Sequence, residues 1–228
     1  MELEKVTKQG RRWYDDACGA ALAMELMGER WALLIVRELL FGPRRFSALR
    51  AALPGISANV LTQRLAGLEQ ARVLRRRRLD PPAGVQVYEL TPWGYEAEGA
   101  VLALARWASR SPAYDPTQAL SATAMMLSLR NNIDAPAARA LPPVIFGFAL
   151  GDDSFVLRLE DGAPVIRRGR EPGDVHFATT PRLLANIIYG KWPLETARAE
   201  GALVLAGDPA LAQSFVDLFR LPAKAEVE

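Results

Sequence analysis

Two amide side chains at helical spacing, together with a run of arginines, are the residues of this sequence best suited to specific binding. Asn59 and Gln63 are four residues apart, and this spacing places both on one face of a helix. Each amide can donate to and accept from an adenine edge in a bidentate pair. The predicted DNA-contacting residues are these two amides with their neighbours and the nearby arginines: Arg44, Arg45, Ser57, Asn59, Thr62, Gln63, Arg64, Arg75, Arg76, Arg77 and Arg78.

Positive charge is concentrated around these residues. The chain of 228 residues has a net charge of only +2, but residues 30–90 contain 11 arginines and 4 acidic residues, a local charge of +7. A local excess of this kind is typical of a surface that binds a polyanion. Because side chains alternate along a strand, the run from Arg75 to Arg78 should present two guanidinium groups on each face. The same arginines could instead solvate a protein surface.

The residue types needed for catalysis or metal binding are scarce. The sequence has one cysteine, Cys18, and one histidine, His176, so it can form neither an intrachain disulfide nor a histidine-rich metal site. It contains no glycine-rich phosphate loop and no nucleophile-elbow motif. His176 lies on a predicted strand between two apolar residues, which favours a structural role. We therefore predict no enzymatic activity, no metal and no cofactor.

The polar residues around Gln63 belong to a predicted series of helices followed by a hairpin. Capping residues and apolar periodicity predict a helix capped by Asp15 or Asp16 and ending at Gly28, a buried helix over 31–41, a short helix over 46–53, a helix from Ser57 to Arg72, strands over 73–79 and 85–90 joined by a turn at 80–84, and a helix from Thr91. This order of helix, tight turn, helix, hairpin and helix is typical of a winged helix-turn-helix.

The helix that begins at Thr91 has a longer apolar stripe than packing within a single chain would require. Its apolar stripe consists of Trp93, Ala97, Ala100, Val101, Leu104, Trp107 and Ala108. A stripe of this width favours packing against a partner helix. We therefore expect that the chain forms a homodimer.

The N-terminal half resembles the HxlR-type regulators. The resemblance is carried by residues 24–40, 42–47 and 53–65 and by the segment from Tyr88 to Gly94, and it extends over residues 15–110. It implies a dimeric, bacterial-type transcription regulator whose recognition helix runs from Ser57 to Arg72. HxlR-type proteins often have a cysteine where this sequence has Cys18, and some sense oxidants or electrophiles through it.

The pattern changes after the two prolines between Ser111 and Pro116, which predict a boundary. The elements expected beyond it are a helix over 117–132, a loop over 135–143, strands over 144–150, 155–159, 163–168 and 174–179, a helix that begins at Thr180 and stops at Gly190, a strand over 202–206 and a closing helix over 209–218. The strands over 144–150 and 155–159 have a period of two, and Asp161-Gly162 is a typical hairpin turn.

This second half resembles the sterol carrier protein type two-like fold. The resemblance is carried by residues 174–181, 183–193 and 199–209 and extends over residues 117–221. In that family the sheet and helices enclose an apolar tunnel for lipid-like ligands. The residues that could line such a tunnel are Phe146, Phe148, Phe155, Phe177, Ile188, Tyr189, Trp192, Phe215 and Phe219. The same aromatic residues could equally fill a solid core.

The predicted fold is α+β, with a winged helix-turn-helix domain over residues 1–112 and a sterol-carrier-like domain over residues 113–228. Residues 1–12 lack the apolar segment of a signal peptide, and no apolar run approaches the roughly 18 residues that span a bilayer, so we expect a cytoplasmic protein with no membrane partner.

The leading function is a dimeric repressor on an inverted-repeat operator in double-stranded DNA, responsive to a small hydrophobic effector in its second domain. Two alternatives remain open: a redox- or electrophile-responsive regulator that acts through Cys18, and a lipid-binding carrier with a vestigial winged helix.

Overall fold

The computed structural model describes residues 14–80, 82, 84–170 and 173–226. The N-terminal residues that argued against a signal peptide lie outside this part of the chain, as do residues 81 and 83 of the predicted wing turn. Within it, helices and strands are both present in each half of the chain, as the α+β prediction required.

The N-terminal half begins with four helices: α1 (Gly19–Met27), α2 (Ala32–Leu39), α3 (Phe46–Ala52) and α4 (Ala58–Gln70). Helix α2 is central, because Ile35, Val36 and Leu39 are fully buried and helices α1, α3 and α4 all contact it. Gly42 follows α2 with φ +105°, a left-handed conformation that glycine adopts without steric cost and that turns the chain toward α3.

A β-hairpin and two helices complete this half. Strands β1 (Leu74–Arg78) and β2 (Gln86–Leu90) pair antiparallel, and α5 (Pro92–Glu96) and α6 (Glu98–Ser109) follow. The single helix expected from Thr91 is therefore divided at Ala97, although its backbone stays in the helical region there. Arg44 exchanges two backbone hydrogen bonds with Tyr88, of 2.8 and 2.9 Å, and so extends the hairpin by one bridge.

The C-terminal half is a five-stranded sheet with helices. Its elements are α7 (Ala122–Asn131), α8 (Ala135–Arg139), β3 (Ile145–Leu150), β4 (Asp153–Glu160), β5 (Ala163–Arg168), β6 (Val175–Thr179), α9 (Pro181–Ile188), α10 (Leu194–Ala199), β7 (Val204–Gly207) and α11 (Pro209–Asp217). The strand order is β5-β4-β3-β6-β7. Strands β3 and β6 run parallel, and the other neighbours are antiparallel.

Three helix boundaries differ from the prediction. In each case a nearby side chain caps or binds the backbone at another residue than the one expected. Cys18, not Asp15 or Asp16, is the N-cap of α1, since the Asp16 carboxylate accepts the Cys18 amide at 2.8 Å. Helix α7 begins at Ala122 with Ser121 as its cap. The expected loop over 135–143 contains α8, which Asp134 caps and which places a proline in its first turn, where a missing amide is tolerated.

The two halves share one continuous cluster of buried apolar side chains. The chain end adds further contacts, since the Lys224 ammonium donates to the carbonyl groups of Ser111 and Tyr114 at 2.9 and 3.2 Å, in the segment between α6 and α7. None of the described helices is long and apolar enough to cross a bilayer.

Candidate nucleic-acid interface

Helix α4 presents a polar face to solvent. Ser57 caps it, with the hydroxyl oxygen accepting the Val60 amide at 3.2 Å. Leu61, Leu65 and Leu68 are buried against the core. The exposed residues on the opposite face are Asn59, Thr62, Gln63, Ala66 and Gln70. The periodicity of the sequence therefore placed both amides correctly, because an amphipathic helix needs only its own apolar stripe to set its orientation.

Arg64 lies on the flank of α4. Its Nε donates to the Arg30 carbonyl at 3.0 Å, and its guanidinium is 2.7 Å from the Glu29 carboxylate. These bonds attach α4 to the segment between α1 and α2. Arg64 therefore differs from the exposed amides beside it, because its guanidinium already has partners within the chain.

The four arginines of β1 divide between the two faces of the hairpin as alternation requires. Arg75 and Arg77 both donate to the Glu89 carboxylate, at 2.8 and 2.6 Å. Burial alone would raise the pKa of Glu89, but the hydrogen bonds and charges of these two arginines outweigh it and lower that pKa. One acidic side chain thus holds two guanidinium groups on the same face.

On the other face, Arg76 and Arg78 are held differently. Arg76 Nε lies 2.8 and 3.1 Å from the two oxygens of Glu69, so the wing is tied to α4, and this hydrogen bond raises the pKa of Arg76. Arg78 Nε donates to the Gly84 carbonyl at 2.7 Å. A depression of about 460 Å³ is lined by Arg76, Arg77, Arg78, Gly84 and Gln86. Guanidinium groups around such a depression can bind the phosphates of a nucleic-acid backbone.

The placement of Arg44 at the DNA phosphates is wrong, because this side chain is buried and points into the protein. Its guanidinium is 3.2 Å from Glu38 and 2.9 Å from Asp153, and it donates to the Thr123 hydroxyl at 3.2 Å. Those partners lie on α2, β4 and α7. Arg45, next in the chain, is exposed at the start of α3 and remains in the predicted contact set.

Arg44 belongs to a buried ionic cluster that connects the two halves, defined by Glu38, Arg44, Thr123, Asp153 and Arg168. Arg168 pairs with Asp153 and donates to the Thr123 hydroxyl at 2.9 Å. Burial and the neighbouring charge of Arg44 lower the pKa of Arg168, against the opposing effect of Asp153 and Glu38. The sequence analysis did not predict this cluster, although a glutamate in α2, where every other residue except Arg37 is apolar, was a signal of a buried partner.

The predicted tunnel residues are mostly core residues. Phe146, Phe148, Phe155, Phe177, Ile188, Phe215 and Phe219 are at most 1% exposed. The Phe215 ring lies 4.2–5.7 Å, between centroids, from the rings of Phe146, Phe148, Phe177 and Phe219. Of the two alternatives that the sequence allowed, these contacts match the solid core.

The other two predicted tunnel residues, Tyr189 and Trp192, are partly buried and pack against the same core. The Tyr189 hydroxyl is 2.7 Å from the Ser128 hydroxyl. Burial raises the pKa of Tyr189 to about 12, against the effect of its hydrogen bonds. His176 is half-buried on β6 and packs over Gly147.

Helices α1 and α6 carry an exposed apolar surface, defined here as Leu22, Met24, Leu104 and Trp107. Helix α1 buries none of its residues, and α6 buries only Val101. Leu22, Met24 and Leu104 are 43–50% exposed, and Trp107 is 74% exposed. Cys18 is also exposed, at the N-terminus of α1. The stripe predicted from Thr91 onward is thus largely unburied within one chain.

The fold defines a winged helix-turn-helix protein. Helices α3 and α4 form the helix-turn-helix, α4 exposes its amide face, and the β1–β2 hairpin that follows is the wing. Residues 26–114 match the family model described as HxlR-like helix-turn-helix. The transcriptional regulator YvaP of Bacillus subtilis is 38% identical over 88 residues, which are 38% of this chain and 81% of the relative. The chain belongs to the HxlR-like helix-turn-helix family.

A second relative has the same assignment. The transcriptional regulator YodB of Bacillus subtilis is 33% identical over 88 residues, 39% of this chain and 79% of that protein. The crystal structure of quinone-bound YodB has a TM-score of 0.35 and 31% identity, over 40% of this chain and 96% of that chain. The family and these relatives are transcription regulators, so the chain is assigned to regulation and not to enzymes.

Proposed function

We propose that this protein is a homodimeric repressor that binds an inverted-repeat operator in double-stranded DNA. The observation that carries the proposal is the exposed polar face of α4, with Asn59 and Gln63 side by side and the arginines of the wing next to it. Two copies of α4 would enter successive major grooves about 34–36 Å apart. Ser57, Thr62, Asn59 and Gln63 would contact the operator at α4.

The arginines supply the affinity that does not depend on sequence. Arg45 and at least one pair of wing arginines, either Arg75 and Arg77 or Arg76 and Arg78, would lie near phosphates, where each neutralised phosphate releases a counterion. Arg64 would act indirectly, by orienting α4 through its bonds to Arg30 and Glu29.

Base recognition and phosphate binding can be separated by one matched pair of variants. We expect Gln63→Ala to reduce the preference for one base pair of the operator by about 1–3 kcal/mol. We expect Arg78→Ala to weaken binding to all duplexes and to reduce the salt slope by about 1. Fluorescence anisotropy with a labelled duplex from the protein's own upstream region, at two salt concentrations, measures both. An equal loss on every duplex for Gln63→Ala would contradict the proposed recognition face.

The dimer would form through the exposed apolar surface of α1 and α6. Large apolar side chains exposed on a helix, such as Leu104 and Trp107 one turn apart on α6, are typical of a protein interface. Burying it in the dimer would hold the two α4 helices at a fixed separation, as an inverted repeat requires.

A charge placed in this surface should dissociate the dimer. For Trp107→Glu we expect a monomer in light scattering at micromolar concentration and at least a tenfold loss of operator affinity, because a carboxylate would be buried without a partner. Val204→Glu is the control, since Val204 is 67% exposed on the C-terminal sheet. A dimeric Trp107→Glu protein would place the interface elsewhere.

We further propose that residues 1–112 bind DNA and that residues 113–228 form a sterol-carrier-like unit that responds to a small effector in the cytoplasm. The sheet order β5-β4-β3-β6-β7, with the parallel β3–β6 pair, supports that likeness. The buried ionic cluster supports the coupling, because it joins this unit to α2 and to the residue that bridges the wing. An effector would shift DNA affinity only by binding two arrangements of the halves unequally.

A second candidate is redox or electrophile sensing through Cys18. The thiol is exposed at the N-terminus of α1, one of the two helices assigned to the proposed dimer surface. Loss of the response to a quinone in Cys18→Ser would support this candidate, and an unchanged response would exclude it. Operator binding itself tests the carrier alternative, which predicts none.

A further inference from the structure

The C-terminal sheet has one face covered by helices and one face where a cavity opens. Phe148 and its register partner Phe155 are buried on the covered side. Their neighbours Ala149 and Ser154 are also register partners, and alternation places both on the opposite face. A half-open cavity of about 450 Å³ lies here, lined by Phe148, Ala149, Gly151, Ser154, Phe155, Gly169, Arg170 and His176.

Small residues create this space. Gly147 is the register partner of His176, and a β-carbon on Gly147 would lie 2.6 Å from the His176 ring. The imidazole can therefore lie this close to the strand only because residue 147 has no side chain. Ala149, Gly151 and Gly169 continue the row of small residues, so a flat apolar group can rest against the backbone of the sheet.

The polar groups of the lining are Ser154, Arg170 and His176, and none of the described lining residues is acidic. Arg170 is exposed, and none of the hydrogen bonds or ion pairs found among the described residues uses its side chain. An arginine can bind a carboxylate through two parallel hydrogen bonds. A serine hydroxyl and an imidazole can each donate one more.

We propose that this cavity binds a small amphipathic carboxylate, with the carboxylate on Arg170 and the apolar part against Ala149 and the adjacent glycines. The proposal rests on the proposed function, whose effector it identifies by chemical class. The effector would then bind on the open face of the sheet, and not among the packed phenylalanines where the sequence predicted a tunnel.

Two residues of the cavity lining directly follow residues of the buried ionic cluster in the chain. Ser154 follows Asp153 and Gly169 follows Arg168, and the Gly169 amide donates to the Ser154 carbonyl at 2.9 Å. The Phe155 ring, which lies on the covered face of the same strand, contacts Phe41 after α2, with the two ring centroids 5.5 Å apart. A ligand that displaces this wall therefore acts on backbone directly attached to the residues that hold Arg44.

Binding of 2-naphthoate to the full chain, followed by isothermal titration calorimetry, tests the site. We expect Arg170→Gln to weaken binding at least tenfold and Ala149→Leu, which fills the cavity, to do the same. Arg198→Gln, an exposed arginine on α10, is the matched control and should bind like the unchanged protein. The neutral isostere 2-naphthalenemethanol should bind at least tenfold more weakly than 2-naphthoate.

Absence of 2-naphthoate binding, or equal binding by Arg170→Gln and the unchanged protein, would overturn the site. Operator affinity measured with and without 2-naphthoate tests the proposed function separately. If 2-naphthoate binds through Arg170 but leaves operator affinity unchanged, the site stands and the effector role is excluded. If it does not bind while a neutral apolar compound releases the operator, the proposed function stands and this site is excluded.

Discussion

Asp153→Ala is expected to lower the free energy of unfolding by about 2–4 kcal/mol, somewhat less than the loss of one partner of a fully buried ion pair, because Asp153 and Arg168 are each 21% exposed. The Asp153 carboxylate lies between the guanidinium groups of Arg44 and Arg168. Without it, two like charges face each other in a buried site, and Arg44 keeps only Glu38 as an acidic partner. Urea denaturation followed by circular dichroism measures the change.

The neighbouring carboxylate provides the control. Asp152 is exposed in the turn between β3 and β4, and Asp152→Ala should change the free energy of unfolding by less than about 0.5 kcal/mol. The double variant Asp153→Ala with Arg168→Met should recover part of the loss, because it removes one of the two uncompensated charges. A loss below about 1 kcal/mol for Asp153→Ala would mean that water or side-chain movement satisfies both arginines.

Phe215→Ala is expected to destabilise the protein by about 3–5 kcal/mol, because the phenylalanine ring contacts four others in a filled core. The size of the effect distinguishes the two interpretations that the sequence left open. In a solid core the deletion leaves a cavity, whereas a ring lining an open tunnel would lose fewer contacts and cost less. Denaturation of the full chain measures it.

Val204→Ala is a suitable control for this variant, since Val204 is largely exposed on an edge strand and its truncation should cost little. If Phe215→Ala costs about 1 kcal/mol or less and increases the binding of a neutral apolar compound, the rings line a tunnel and the effector site belongs among them.

Together the two variants test whether the buried ionic cluster couples effector binding in the C-terminal half to operator affinity. Asp153 belongs to the cluster that joins α2, the wing bridge and the C-terminal sheet, whereas the four rings around Phe215 all lie in the C-terminal half. If the cluster couples the halves, Asp153→Ala should also reduce the effect of an effector on operator affinity. Arg44 is then a positioning residue for the wing and not a DNA contact.

Much of the secondary structure could be predicted from local patterns. Helix α4 begins after Ser57 and buries three leucines at helical spacing, as expected, and β5 has the predicted bounds over 163–168. The order of elements in the N-terminal half follows from the same signals, because caps, turns and apolar periodicity act within a few residues. Helix starts were less accurate, since Asp16 and Asp115 bind the nearby backbone and delay the helices that follow.

Local sequence patterns predict the winged helix-turn-helix, the polar face of α4 and the alternation of the wing arginines, because each depends on the periodicity of one helix or one strand. The environments of Arg44 and of the phenylalanines depend on contacts between distant parts of the chain, so they follow only from the folded structure. An arginine at a given position looks the same in sequence whether it faces phosphate or a carboxylate 109 residues away, as Arg44 faces Asp153. Whether rings surround a space or fill it likewise depends on how the sheet and helices pack together.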